Sequence, residues 1–161
     1  MKNKVLLFSI IITICCNDDS KINKEFAIDN THNVHKIIMS DKQGNSLLLE
    51  KNEDLWMINK KYKAWQYRVD YTLKVMRDIR IKSSVPELSE ERVIKDIATS
   101  GVRIEIHTNK GKKIYYIGGN TKDHLGTYMI MNKSSTPFII HIPDRHPGIL
   151  NPKYGLEGNL V

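Results

Sequence analysis

The chain has 161 residues, 40% of them hydrophobic and 27% charged, with 9 Gly and 5 Pro. That length holds one domain of ordinary size and excludes a two-domain enzyme, and the near-average globular composition excludes a disordered, collagen-like or multi-span membrane chain. Twenty-five basic residues against 18 acidic ones give a net charge of +7, an excess that suits an anionic partner or a solvated surface equally.

The first elements give an address. Lys2 and Lys4 precede an apolar run from Val5 to Ile14, the layout of a secretory signal peptide, and the run is too short for a bilayer, which needs about 20 residues. Thr13-Ile14-Cys15-Cys16 then gives way to Asn17-Asp18-Asp19-Ser20. This resembles a bacterial lipobox, in which a small residue precedes the acylated cysteine. Cys15 is small enough and Ile14 is not, so residues 1–15 are read as the signal and Cys16 as the lipidated residue, with Cys15 an unusual neighbour beside the usual Gly, Ala or Ser. Cleavage there removes Lys2 and Lys4, so 23 basic residues face 18 acidic ones and the charge falls to +5. It also leaves no free thiol for a disulfide or a nucleophile. Asp18 and Asp19 resemble the surface-export signal of Bacteroidetes lipoproteins, and residues 16–25 read as a flexible tether.

A single domain is expected over residues 26–143. Val34 to Met39 and Leu47 to Leu49 form two β runs around the turn Asp41-Lys42-Gln43-Gly44-Asn45, and Leu55 to Ile58 forms a third. Trp65, Val69, Leu73, Met76 and Ile79 share one stripe of a helix from about Ala64 to Ile81, whose other side carries Arg68, Asp70, Lys74, Arg77 and Asp78. After Val85-Pro86, Ser89 is the expected N-cap of a second helix with Val93, Ile94 and Ile97 inward, and Gly101 is expected as a left-handed C-terminal cap. Val102, Ile104 and Ile106 alternate with polar residues as a strand, Asn109-Lys110-Gly111 turns it into Ile114 to Ile117, and Thr127 to Met131 and Phe138 to Ile142 follow around the Asn132–Pro137 turn. Strands, two consecutive helices, then strands predict an α+β fold, a mainly antiparallel sheet with both helices packed on one face. Residues 144–161 read as an irregular tail.

The string Gly118-Gly119-Asn120-Thr121-Lys122-Asp123-His124-Leu125-Gly126-Thr127-Tyr128-Met129, followed by Pro137-Phe138-Ile139-Ile140-His141-Ile142-Pro143, resembles the signature of the domain-of-unknown-function 4340 family in its Bacteroidetes lipoprotein form. The resemblance spans roughly Phe26 to Pro143 and includes Trp56 and the first helix. It implies the same fold and address and an accessory or interaction role, and it marks Gly118, Gly119, Thr121, Asp123, Gly126, Tyr128 and His141 as a signature surface. The family pattern continues beyond His141-Ile142-Pro143 with Gly-aromatic residues and often a second half, whereas here Asp144-Arg145-His146-Pro147 follows.

No catalytic motif of fixed spacing is present: there is no Gly-x-Ser-x-Gly elbow and no Walker loop. Gly118-Gly119-Asn120-Thr121 leads into β structure rather than a helix, so it reads as a strand connection rather than a phosphate cradle. Asp123, His124, His141, Asp144 and His146 are metal-capable but lack a diagnostic spacing, so no metal and no cofactor is assigned. Trp56, Trp65, Tyr115, Tyr116 and Tyr128 sit at strand and helix spacings that favour core over a ligand cleft. The basic helix face reads as solvated, and no nucleic-acid partner is expected of an exported chain. The leading expectation is a lipid-anchored protein of a Gram-negative cell envelope, at the outer membrane, a non-enzymatic binding or accessory subunit of a membrane complex. The alternative is a domain that binds an envelope glycan or small anionic ligand, or hydrolyses it with a metal's help.

Overall fold

A computed structural model describes residues 25–143 and Leu150. The signal segment, Cys16, the tether up to residue 24 and the tail apart from Leu150 lie outside the described residues.

The strands are β1 (Val34–Ser40), β2 (Ser46–Asn52), β3 (Leu55–Ile58), β4 (Tyr62–Lys63), β5 (Arg80–Ser84), β6 (Val102–Thr108), β7 (Gly111–Asn120), β8 (Thr127–Met131) and β9 (Pro137–His141). Helix α1 (Gln66–Asp78) lies between β4 and β5, and α2 (Glu87–Ser100) between β5 and β6. They form the expected α+β fold: one antiparallel sheet in the order β4-β3-β2-β1-β6-β7-β8-β9-β5. Local chemistry sets the hairpins. In the β1–β2 turn the Asp41 carboxylate accepts from the backbone N–H of Gln43 and Asn45, both at 2.9 Å, while Gly44 takes φ +93°, a conformation that glycine adopts without steric cost.

The larger core fills one face. Ile37 and Met39 of β1 pair with Ile106 and Ile104 of β6, and Tyr115, Ile117, Met129 and Ile140 continue the layer beneath Val69, Val75 and Met76 of α1. Phe26 closes it, 6.0 Å ring to ring from both Tyr115 and Phe138. Burying each such aliphatic side chain is worth about 1.5–3 kcal/mol. Leu150 is buried in the same layer.

The two helices do not share a face. Helix α2 packs Val93 and Ile97 on Ile130, with Tyr116, Tyr128 and Ile139 around them, and these strand residues alternate with those under α1. Successive strand residues point to opposite sides, so β7–β9 are covered twice, α1's layer on one side and α2 on the other. The runs Ile114–Ile117 and Tyr128–Met131, apolar on both sides, are the sequence mark of that double cover.

Other boundaries move for identifiable reasons. Helix α1 is shorter than the predicted 64–81, because Ile79 turns extended at the C-cap and Arg80 and Ile81 pair with His141 and Ile140 as an edge strand. Pro86, not Ser89, is the N-cap of α2, and Ser89 N–H donates to the Pro86 carbonyl at 2.8 Å. Gly101 is extended, with φ −69°, rather than left-handed. Glycine is required there by space, since a Cβ would stand 2.4 Å from the Ile97 carbonyl oxygen.

Candidate functional site

The family-like signature folds into the β7–β8 connection. The Thr121 hydroxyl has one proton, which goes to Asp123 Oδ1 at 2.6 Å, and its oxygen accepts the Gly126 N–H at 3.0 Å. Asp123 Oδ1 also accepts the Leu125 N–H at 3.0 Å. These bonds, the Thr121 hydroxyl first, hold the Asp123 carboxyl below its ordinary pKa, helped by Lys82. The glycines serve packing: a Cβ on Gly118 would meet Ile97 Cγ1 at 2.5 Å, and one on Gly126 would meet Ile139 Cγ2 at 2.4 Å. Gly118, Thr121 and Gly126 are buried, Tyr128 and His141 half-buried, and Gly119 and Asp123 exposed. The expected signature surface is therefore largely a turn that locks β7 to β8 and seats α2, with Gly118 and Gly119 inside a strand rather than in a phosphate loop. Among the described residues no three His, Cys, Asp or Glu side chains gather to hold a metal.

The side of β6 turned away from the α1 layer, with the start of β7, carries a second polar group. Glu105, almost fully buried, bonds Arg103 and accepts from His107 Nε2 at 2.7 Å, with Lys112 Nζ at 3.6 Å. Burial opposes its ionisation, but the hydrogen bonds from Arg103 and His107 and the charges of Arg103 and Lys112 outweigh it, so its pKa falls below the ordinary value. One carboxylate thus gathers Arg103, Lys112 and His107 from β6 and β7, which makes the group a support for the sheet. Beside it, a 290 Å³ cleft is lined by Asp29, Asn30, Thr108, Lys110 and Lys113 among others. Lys113 Nζ is already committed there, donating at 2.6 Å to the carbonyls of Glu25 and Ala27.

The remaining feature is unlike these. Tyr62 in β4, Trp65 at the α1 N-cap and Tyr67 in its first turn are 58%, 72% and 67% exposed. Trp65 was expected in the α1 core stripe with Val69 and Met76. It lies outside the helix, at φ −72° and ψ 107°, so the 100° periodicity that places Val69 inward does not reach it. Its ring stands 6.1 Å from that of Tyr67. Trp56 and Tyr115, by contrast, are core as expected. Beside Trp65 an apolar hollow of 250 Å³ opens between α1 and the sheet, lined by Met39, Leu47, Leu49, Ile58 and Ala64. Arg68 lines the hollow and Lys61 stands over the Tyr62 ring, whereas Lys60 and Lys63 lie on the other face of the β3–β4 edge, with Glu50 and Met57. The signal was available in the sequence: Asn59 to Arg68 holds four cations and three aromatics with no carboxylate, and helical periodicity concealed it by absorbing Trp65. Three exposed rings and a hollow bordered by Arg68, with Lys61 beside them, are a surface that can bind.

No protein-family model, curated protein or solved structure matches the chain. Among the described residues no helix is long and apolar enough to cross a membrane.

Proposed function

We propose that the protein is a lipid-anchored component of a Gram-negative cell envelope, held at the outer membrane through Cys16. Its α+β domain is a non-enzymatic binding module, an accessory subunit of a membrane complex, and it meets its protein partner through the Tyr62–Trp65–Tyr67 face. The observation that carries this reading is Trp65, 72% exposed beside an apolar hollow. A large ring held in water without a packing role inside its own domain is the kind of group that dominates protein interfaces, where Trp, Tyr and Arg are the usual anchors. The address rests on the signal layout ending at Cys16 and on the resemblance to envelope lipoproteins. One acyl chain holds a protein only marginally, so the several chains of a bacterial lipoprotein are needed for stable attachment.

Two measurements test this. Fractionation of cells carrying Cys15→Ala with Cys16→Ala should find the protein released from membranes; retention there would remove the anchor. In cells expressing Trp65→Ala, the protein should stay folded and membrane-bound but lose its partner. An unchanged complex in that variant would move the binding role to another surface.

A further inference from the structure

Resting on that reading, we propose that the occupant of this face is an acidic segment of the partner protein that seats one apolar side chain in the hollow between α1 and the β2–β3 end of the sheet. Charge sets the first half of the inference. Between Asp54 and Asp70 the chain has no carboxylate, and Lys60, Lys61, Lys63 and Arg68 fall in that interval. The nearest acids are Glu50, which lies 3.1 Å from Lys36 and 4.0 Å from Lys60, and Asp70, whose carboxylate accepts from the neutral Gln66 Nε2 at 2.8 Å. Lys61 stands over the Tyr62 ring at 5.1 Å. Four cations against these two carboxylates leave this end of the sheet net positive, and a segment bearing carboxylates complements it.

Shape sets the second half. The hollow is 250 Å³ and lined mainly by aliphatic side chains, where an apolar cavity of roughly 150 Å³ already accommodates benzene, so a Leu or Phe side chain fits. Trp65 and Arg68 border it, and β4 pairs only with β3, as the end strand of the sheet. An anchor in a pocket bordered by an aromatic and a cationic side chain is the arrangement of an interface hot spot. A bilayer surface would engage the rings and the lysines but leave the hollow unfilled, which favours a protein segment.

The test uses the mature lipidated protein in phosphatidylcholine nanodiscs and a fluorescein-labelled peptide, EDLEFDE, read by anisotropy. The lysine counterpart KKLKFKK and the anchorless EDAEADE are expected to bind at least about tenfold more weakly, and Trp65→Ala to weaken EDLEFDE by at least about tenfold. Ala64→Leu, which fills the hollow without touching charge, should have a similar effect, and raising salt from low to high should weaken binding. Equal binding of the lysine peptide, full binding of EDAEADE, or no binding of EDLEFDE overturns the proposal. So does displacement of the peptide by phosphatidylglycerol nanodiscs with a blue shift of Trp65 emission, which would assign the face to anionic lipid. If the peptide fails while a crosslinker at Tyr67 still yields one saturable protein adduct in cells, the acidic occupant falls and the binding role stands. If both fail, the role falls too.

Discussion

Thr127→Val deletes one oxygen and preserves the side chain's shape. Thr127 is fully buried; its hydroxyl donates to Asn120 Oδ1 at 3.1 Å and accepts the backbone N–H of Leu150 at 2.9 Å. In the variant the Leu150 N–H is stranded in a buried site, which costs about 1–3 kcal/mol. Asn120 is half-exposed and recovers water, so its loss adds little. The extra methyl offsets up to about 0.8 kcal/mol. The net cost is about 1–2 kcal/mol, a fall in midpoint of roughly 2–8 °C for a chain of this size. Urea unfolding followed by tryptophan fluorescence should show this at unchanged m. Thr127→Ser loses a methyl and also costs about 1 kcal/mol, so stability alone does not separate the two. Hydrogen exchange does: the Leu150 amide should be protected in the wild type and in Thr127→Ser, and should exchange far faster in Thr127→Val. Equal Leu150 exchange in all three proteins would refute the role of Thr127 in fastening Leu150 to the core.

Gly118→Ala should destabilise by about 1–3 kcal/mol, because its Cβ would sit 2.5 Å from Ile97 Cγ1; Ile97→Ala in the same chain should recover part of that loss in a double-mutant cycle, and additive costs would refute the clash. Glu105 ionises more readily in the folded state than its ordinary value of 4.5, so its contribution to stability is present above that pH and is lost as pH falls through the lower folded value. Glu105→Gln should lower stability at pH 7 and flatten the acid limb below about pH 5; parallel curves would remove Glu105 as its source. Acrylamide should quench Trp65 strongly and the core Trp56 weakly, and Trp65→Ala should leave stability within about 0.5 kcal/mol, as for an exposed residue free of packing; a large loss would place the ring in the core.

How far the sequence reveals this molecule depends on which signals were local. The Asp41–Asn45 turn with its glycine, the alternation of Val102, Ile104 and Ile106, and the α1 stripe at Val69 and Met76 are set by neighbours in the chain, and each element stands where the pattern places it. β4 and β5 were hidden because their pairing is with strands far away in the chain or too short to leave a pattern: Tyr62–Lys63 is two residues long, and Arg80–Ser84 pairs with β9. The division of the helices between two faces was legible in the doubly apolar runs of β7 and β8, but periodicity within a single strand does not say which helix covers which side. Trp65 failed for a specific reason. A helical stripe extended one residue beyond the true N-terminus assigns the cap residue to the core, and the cap's extended backbone sends it to solvent instead. The signature residues were conspicuous in the sequence because Thr121, Asp123 and Gly126 satisfy one tight turn, a structural demand as strict as a functional one.

The central claim is that the Tyr62–Trp65–Tyr67 face of the anchored protein meets a partner. It is tested most directly by placing a photo-crosslinking residue at Tyr67 in the lipidated protein in intact cells, with Lys95 on the exposed side of α2 as the control position. One saturable protein adduct from Tyr67, absent from Lys95 and lost when Trp65→Ala is added, is the predicted result. Adducts equal in identity and yield at both positions, or none at Tyr67 above background, would contradict the account.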